Sequence, residues 1–124
     1  MFWKKLSSEE KYRSPWMFVT EDKVETDFGK TLIWSVVHQN ACAMVIPWDG
    51  ERFTLVGLYR YPIDRYSWEF PSGSVVGVTM DEAAKRELQE EAGLIAENYE
   101  RLGDFYLENG TTTQSMDLYV ATGL

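Results

Sequence analysis

The 124-residue chain reads as an α/β fold in which a mixed β-sheet carries one short helix, with antiparallel strands added at its N-terminal end. Three observations point there. Ala41–Trp48 is a near-continuous apolar run, the pattern of a strand covered on both faces. A capped, partly apolar helical segment follows between Thr79 and Gly93. Further strand-like stretches lie before and after these two, separated by turn residues.

Taken in order, residues 1–14 are polar and charged with Phe2 and Trp3 near the tip, which predicts a flexible lead-in. Residues 16–25 and 31–38 are rich in β-branched and aromatic side chains and are joined by a turn at Asp27-Phe28-Gly29-Lys30. The apolar run 41–48 ends at the turn dipeptide Asp49-Gly50, and Phe53–Tyr59 forms the next strand. Trp68–Phe70 is a short strand end that runs into Pro71-Ser72-Gly73. Thr79 and Glu82 have the spacing of a capping box, so the helix starts near Met80, and Gly93 supplies its left-handed end. Ala83, Ala84, Leu88 and Ala92 form a narrow small-residue stripe suited to close packing on a sheet. Residues 99–106 and 115–122 are two more strands around a Glu-Asn-Gly-Thr-Thr-Thr loop.

Composition narrows the class. The length and 44% hydrophobic content suit one domain with its own core. No apolar stretch is long enough to span a bilayer and no secretory leader is visible, so a cytoplasmic location without membrane contact is expected. The single cysteine, Cys42, excludes an internal disulfide and reads as a small buried hydrophobe. A net charge of −8 without a basic patch argues against a nucleic-acid partner.

The residues with most chemical content are the carboxylates of Arg86-Glu87-Leu88-Gln89-Glu90-Glu91. Glu87 and Glu91 are four apart and rise from one helix face, with Glu90 beside them. On spacing alone the cluster is either a solvated acidic face or a set of hard oxygen ligands for Mg²⁺, with Mn²⁺ as the alternative cation. The unit around it is a strand, a glycine-containing loop and a short acidic helix, an arrangement in which loop backbone and carboxylates converge on one point. His38, the only histidine, sits on an apolar strand and reads as a satisfied structural side chain.

Gly73 through Leu94 resembles the signature of the Nudix hydrolases, G-x5-E-x7-R-E-U-x-E-E-x-G-U with U a bulky aliphatic. Arg86, Glu87, Leu88, Glu90, Glu91, Gly93 and Leu94 match every fixed position of its second half. The spacing from Gly73 to Arg86 is one residue short, and Val78 stands where the first glutamate belongs. Residues 16–37, 54–73 and 102–122 are similar to the ADP-ribose and sugar-nucleotide pyrophosphatase branch of that family. The resemblance implies a Nudix fold, an α/β/α-type sandwich, as a single domain over 1–124. Within it 1–14 are the lead-in, 15–38 the N-terminal strands and 39–124 the core, with the box at 73–94. It implies Mg²⁺-dependent hydrolysis of a nucleoside diphosphate linked to another group, ADP-ribose or a sugar nucleotide.

The resemblance also assigns roles. Glu87, Glu90 and Glu91 are its catalytic and metal-holding residues, joined by the backbone carbonyl of Ser72. Arg60 is its phosphate contact, and Glu69 a second residue of the substrate site. Trp16, Phe18, Trp34 and Tyr61 are either base-stacking residues or packing residues. The chain stops at Leu124, just after its last recognisable strand, where the branch usually continues with a catalytic carboxylate and a closing helix. Glu108 is then the nearest substitute base. Branch members pair through their N-terminal strands, which implies a homodimer. Two alternatives stay open beside the hydrolase: a degenerate Nudix domain that binds a nucleotide without turning it over, and a structural domain with an unused acidic helix.

Overall fold

The computed structural model describes residues 2–124, which divide into two compact units. The first holds the residues up to Asn40 with Tyr106–Gln114. Its sheet has the order β1 (Lys4–Arg13), β2 (Met17–Glu25), β3 (Thr31–Gln39), antiparallel throughout. The lead-in expected over 1–14 is therefore mostly a regular strand. Its sequence lacks the apolar alternation that marks a strand, and its extended form comes from pairing with β2. That pairing breaks register twice, between Lys5 and Ser7 and between Glu10 and Tyr12, leaving Leu6 and Lys11 as extra residues. Thr26 closes the β2–β3 turn by accepting the Lys30 amide on its hydroxyl at 3.0 Å. Thr111–Thr113 lie along β3: the Val37 amide donates to the Thr111 carbonyl at 2.8 Å, and the Thr113 amide to the Val37 carbonyl at 2.9 Å. His38 shares a hydrogen bond of 2.9 Å with Thr20 and stacks on Phe18.

The second unit spans Ala41–Phe105 and Ser115–Leu124. Its elements are β4 (Cys42–Pro47), β5 (Val56–Arg60), a 3₁₀ turn (Tyr61–Ile63), β6 (Arg65–Glu69), β7 (Ser72–Ser74), α1 (Met80–Ala92), β8 (Asn98–Tyr106) and β9 (Ser115–Thr122). The main sheet runs β7-β4-β9-β8, with β4 parallel to β9 and antiparallel to β7, so it is mixed as the sequence predicts. Ala43, Val45, Tyr119 and Ala121 are buried against Ala83, Ala84 and Leu88 of α1, which is the core of this unit. Small side chains on both surfaces let the helix lie close to the sheet. The helix ends are as expected: Thr79 and Glu82 form a reciprocal capping box, and Gly93 adopts φ 66° at the C-cap.

Two strands differ in extent from their sequence patterns. The one expected over 53–59 begins at Val56, because the Asp49 side chain accepts the Glu51 and Arg52 amides, both at 2.8 Å, and folds 49–53 into a turn. The one expected over 68–70 runs from Arg65 to Glu69 and pairs with β5 as a separate hairpin. Tyr66 and Trp68 pack over Gly57 on one face of that hairpin, the Tyr66 hydroxyl donating to the Gly57 carbonyl at 3.0 Å. Among the described residues α1 is the single α-helix, and no helix is long and apolar enough to cross a membrane.

Candidate active site

The site is built where β7 meets α1. Glu87 faces the sheet and is 8% exposed, unusual for a carboxylate. It lies directly over Gly73: a Cβ at that position would collide with Glu87 Oε1. Gly73 sits within β7 and needs no left-handed backbone. Its glycine is thus required by the carboxylate above it. Arg86 Nη2 donates to Glu87 Oε1 at 3.3 Å and to the Ser74 carbonyl at 3.2 Å, tying helix to strand.

Glu91, one helical turn on, accepts the Ser72 amide on Oε2 at 3.1 Å. Loss of solvent around its carboxyl group raises its pKa, and the charges of Glu87 and Glu69 add to that. The Ser72 amide and Arg60 pull the other way. The balance of these influences leaves the Glu91 carboxyl above its ordinary range. Glu90 is exposed on α1. Among the described residues no three acidic, histidine or cysteine side chains are gathered into a metal cage, so Glu90 does not join Glu87 and Glu91 in one cluster. The donor set at β7 is two carboxylates flanking the Ser72-Gly73 backbone, all hard oxygen, which fits a divalent cation of the Mg²⁺ type.

Arg60 and Glu69 lie on the β5–β6 hairpin and form a two-point ion pair, Nε to Oε2 at 3.0 Å and Nη2 to Oε1 at 2.6 Å. Arg60 first, and the Ser67 hydroxyl after it, hold the Glu69 carboxyl below its ordinary range. Arg60 also acts electrostatically on Glu91, which brings the hairpin pair into the same local field as the box carboxylates. Ser67 was not legible as a site residue, because nothing in its neighbourhood distinguishes it from an ordinary strand serine. Glu108 belongs to the first unit, in the loop that docks on β3, with φ 44° and an exposed side chain. On another face of α1, Asp81, Lys85 and Gln89 border a cavity of about 470 Å³, in which the Tyr119 hydroxyl donates to Asp81 at 2.6 Å. None of the box carboxylates lines it.

Comparison with known proteins agrees with this geometry. A family profile described as the NUDIX domain matches residues 38–122, and one described as the nucleoside diphosphate sugar hydrolase N-terminal domain matches 3–37. An ADP-ribose pyrophosphatase of Mycobacterium tuberculosis (strain ATCC 25618 / H37Rv) is 34% identical over 122 residues, 96% of this chain and 59% of that protein. The methanol dehydrogenase activator of Bacillus methanolicus is 33% identical over 105 residues, 83% of this chain and 57% of that protein. The chain thus spans under two thirds of the length of these curated relatives. The crystal structure of an ADP compounds hydrolase superposes with a TM-score of 0.88 at 24% identity, over 98% of this chain and 68% of that one, a likeness of fold. The profile covers most of the chain, the box glutamates stand on the one helix of the second unit, and the glycine of the box lies beneath the first of them: the chain belongs to the Nudix family.

Proposed function

We propose that the chain hydrolyses a nucleoside diphosphate joined to a second group, ADP-ribose or a sugar nucleotide, by attack of water on phosphorus with Mg²⁺ as cofactor. The observation that carries this reading is the juxtaposition at β7: a buried Glu87 over Gly73, Glu91 on the Ser72 amide, and Arg60 held nearby. Glu87, Glu91 and the Ser72 carbonyl would hold the cation, with Glu90 at the outer edge. Bound there, Mg²⁺ (or Mn²⁺) supplies Lewis acidity at the diphosphate and lowers the pKa of water. Arg60 binds phosphate oxygen through its planar donors, and Glu69 completes the substrate site. Glu108, exposed on a loop fixed by its own hydrogen bonds, is the proposed base. The relative named as an ADP-ribose pyrophosphatase supports this substrate class.

The test is product formation. With Mg²⁺ and a panel of ADP-ribose, sugar nucleotides and dinucleoside polyphosphates, the chain should release phosphate monoesters. Glu91→Gln should lower kcat by at least about 100-fold, and Glu108→Gln by a comparable factor. Turnover unaffected by Glu91→Gln sinks the reading.

A second reading has its own support. Val78 in place of the first box glutamate and the one-residue-shorter loop favour a domain that binds the nucleotide without turning it over. Saturable ADP-ribose binding with no product in Mg²⁺ or Mn²⁺ would select it. We further propose a cytoplasmic homodimer with no nucleic-acid or membrane partner. Trp16 and Ile33, 81% and 60% exposed in the first unit, are side chains that a second copy would cover. Sedimentation giving a monomer mass would refute the dimer.

A further inference from the structure

The Arg60–Glu69 pair is not a cross-strand neighbour pair. In the β5–β6 register Arg60 stands opposite Arg65, at the turn end, while Glu69 stands opposite Val56, at the open end. The two residues are therefore separated by four positions along the hairpin, about 13 Å of strand. Directly opposed residues share a face and alternate residues return to it, so Arg60, Arg65, Ser67 and Glu69 lie on one side. Two bonds of 3.0 and 2.6 Å across that span need both side chains outstretched along the hairpin. Left alone, a 45% exposed arginine at a turn end samples many rotamers.

We propose that Glu69 is a positioning residue that draws the Arg60 guanidinium back from the hairpin turn to the box and holds it there without consuming its phosphate-binding edge. This rests on the reading that Arg60 meets the diphosphate. The donor arithmetic supports it. A guanidinium carries five N–H donors in a fixed fork, and Glu69 takes the edge formed by Nε and one Nη2 proton. Both Nη1 protons and the second Nη2 proton remain, and one Nη1 proton with that Nη2 proton forms the other two-point edge, the one suited to a pair of phosphate oxygens. Glu69 and a diphosphate can thus be held at once.

A double-mutant cycle on the full chain tests this, read by calorimetric titration with inorganic pyrophosphate and with ADP in Mg²⁺. Arg60→Ala should weaken binding by about 10–100-fold, and Glu69→Ala by about tenfold. The double variant should bind no more weakly than Arg60→Ala alone. Glu69→Asp should behave like Glu69→Ala, since an outstretched pair has no slack for a side chain one methylene shorter. Mn²⁺ affinity, measured by electron paramagnetic resonance, should be unchanged in Glu69→Ala. Multiplying effects in the double variant, retained binding in Glu69→Asp, or lost Mn²⁺ affinity would each overturn the inference and give Glu69 a direct role. If Arg60→Ala binds as well as the wild type, or the wild type binds neither probe, the underlying reading of Arg60 fails and the inference with it.

Discussion

At the level of single residues the site depends on a contact that a methyl group would destroy. The Glu87 carboxylate occupies the space above Gly73 where any side chain would begin. Gly73→Ala should therefore expel Glu87 from its buried seat and break its link to Arg86 and the Ser74 carbonyl. We expect activity to fall at least about 100-fold, with a stability loss of about 1–3 kcal/mol from overpacking. Activity assays and urea unfolding on the same preparation check both. Near-normal activity would mean that Glu87 does not need this position. The glycine was visible in the sequence, but its reason was not: motif spacing shows that a small residue is needed, and only the fold shows a carboxylate lying against it.

The helix α1 is the element whose formation could be read most fully from sequence, because what starts and stops it is local. Thr79, Glu82 and Gly93 act within their own turns, and the alanine stripe states which face is buried. Thr79→Ala should cost about 1 kcal/mol and Leu88→Ala, at full burial, about 3 kcal/mol. Chemical denaturation measures both, and equal losses would mean that Leu88 is not the core anchor of α1. Strand β1 is the opposite case. KKLSSEEKYR has no alternation to find, every residue of it is exposed, and its strand form is imposed by pairing with β2. The Arg60–Glu69 pair was equally hidden. Both residues could be named as candidates, yet their meeting depends on a register that neither side chain encodes.

Across the whole molecule, carboxylates pull stability in two directions with pH. Asp22, bonded by Ser8, and Glu69, bonded by Arg60, sit below the ordinary values of 3.8 and 4.5 for their side chains. Their contributions are present above those values and disappear as pH falls through the lower folded ones. Glu91 is raised above 4.5 and behaves inversely: what it contributes below that value is lost as pH rises through its folded pKa. A divalent cation at Glu91 would reverse that loss where the carboxylate is ionised. Melting temperature should accordingly fall below about pH 4, and Mg²⁺ should raise it by more degrees at pH 7.5 than at pH 5. Thermal melts with and without the cation decide this, and an equal shift at both pH values would show that Glu91 is not the linked group.

The two interruptions in β1 carry a last consequence. An outermost strand offers its unpaired backbone to any passing chain, and a straight, apolar one seeds fibres. Here the backbone steps out of line at Leu6 and again at Lys11, and lysines and glutamates crowd the stretch. An incoming strand could match only a few residues before losing alignment, with its charges meeting charges. The irregular outermost strand thus works as a guard against uncontrolled self-assembly.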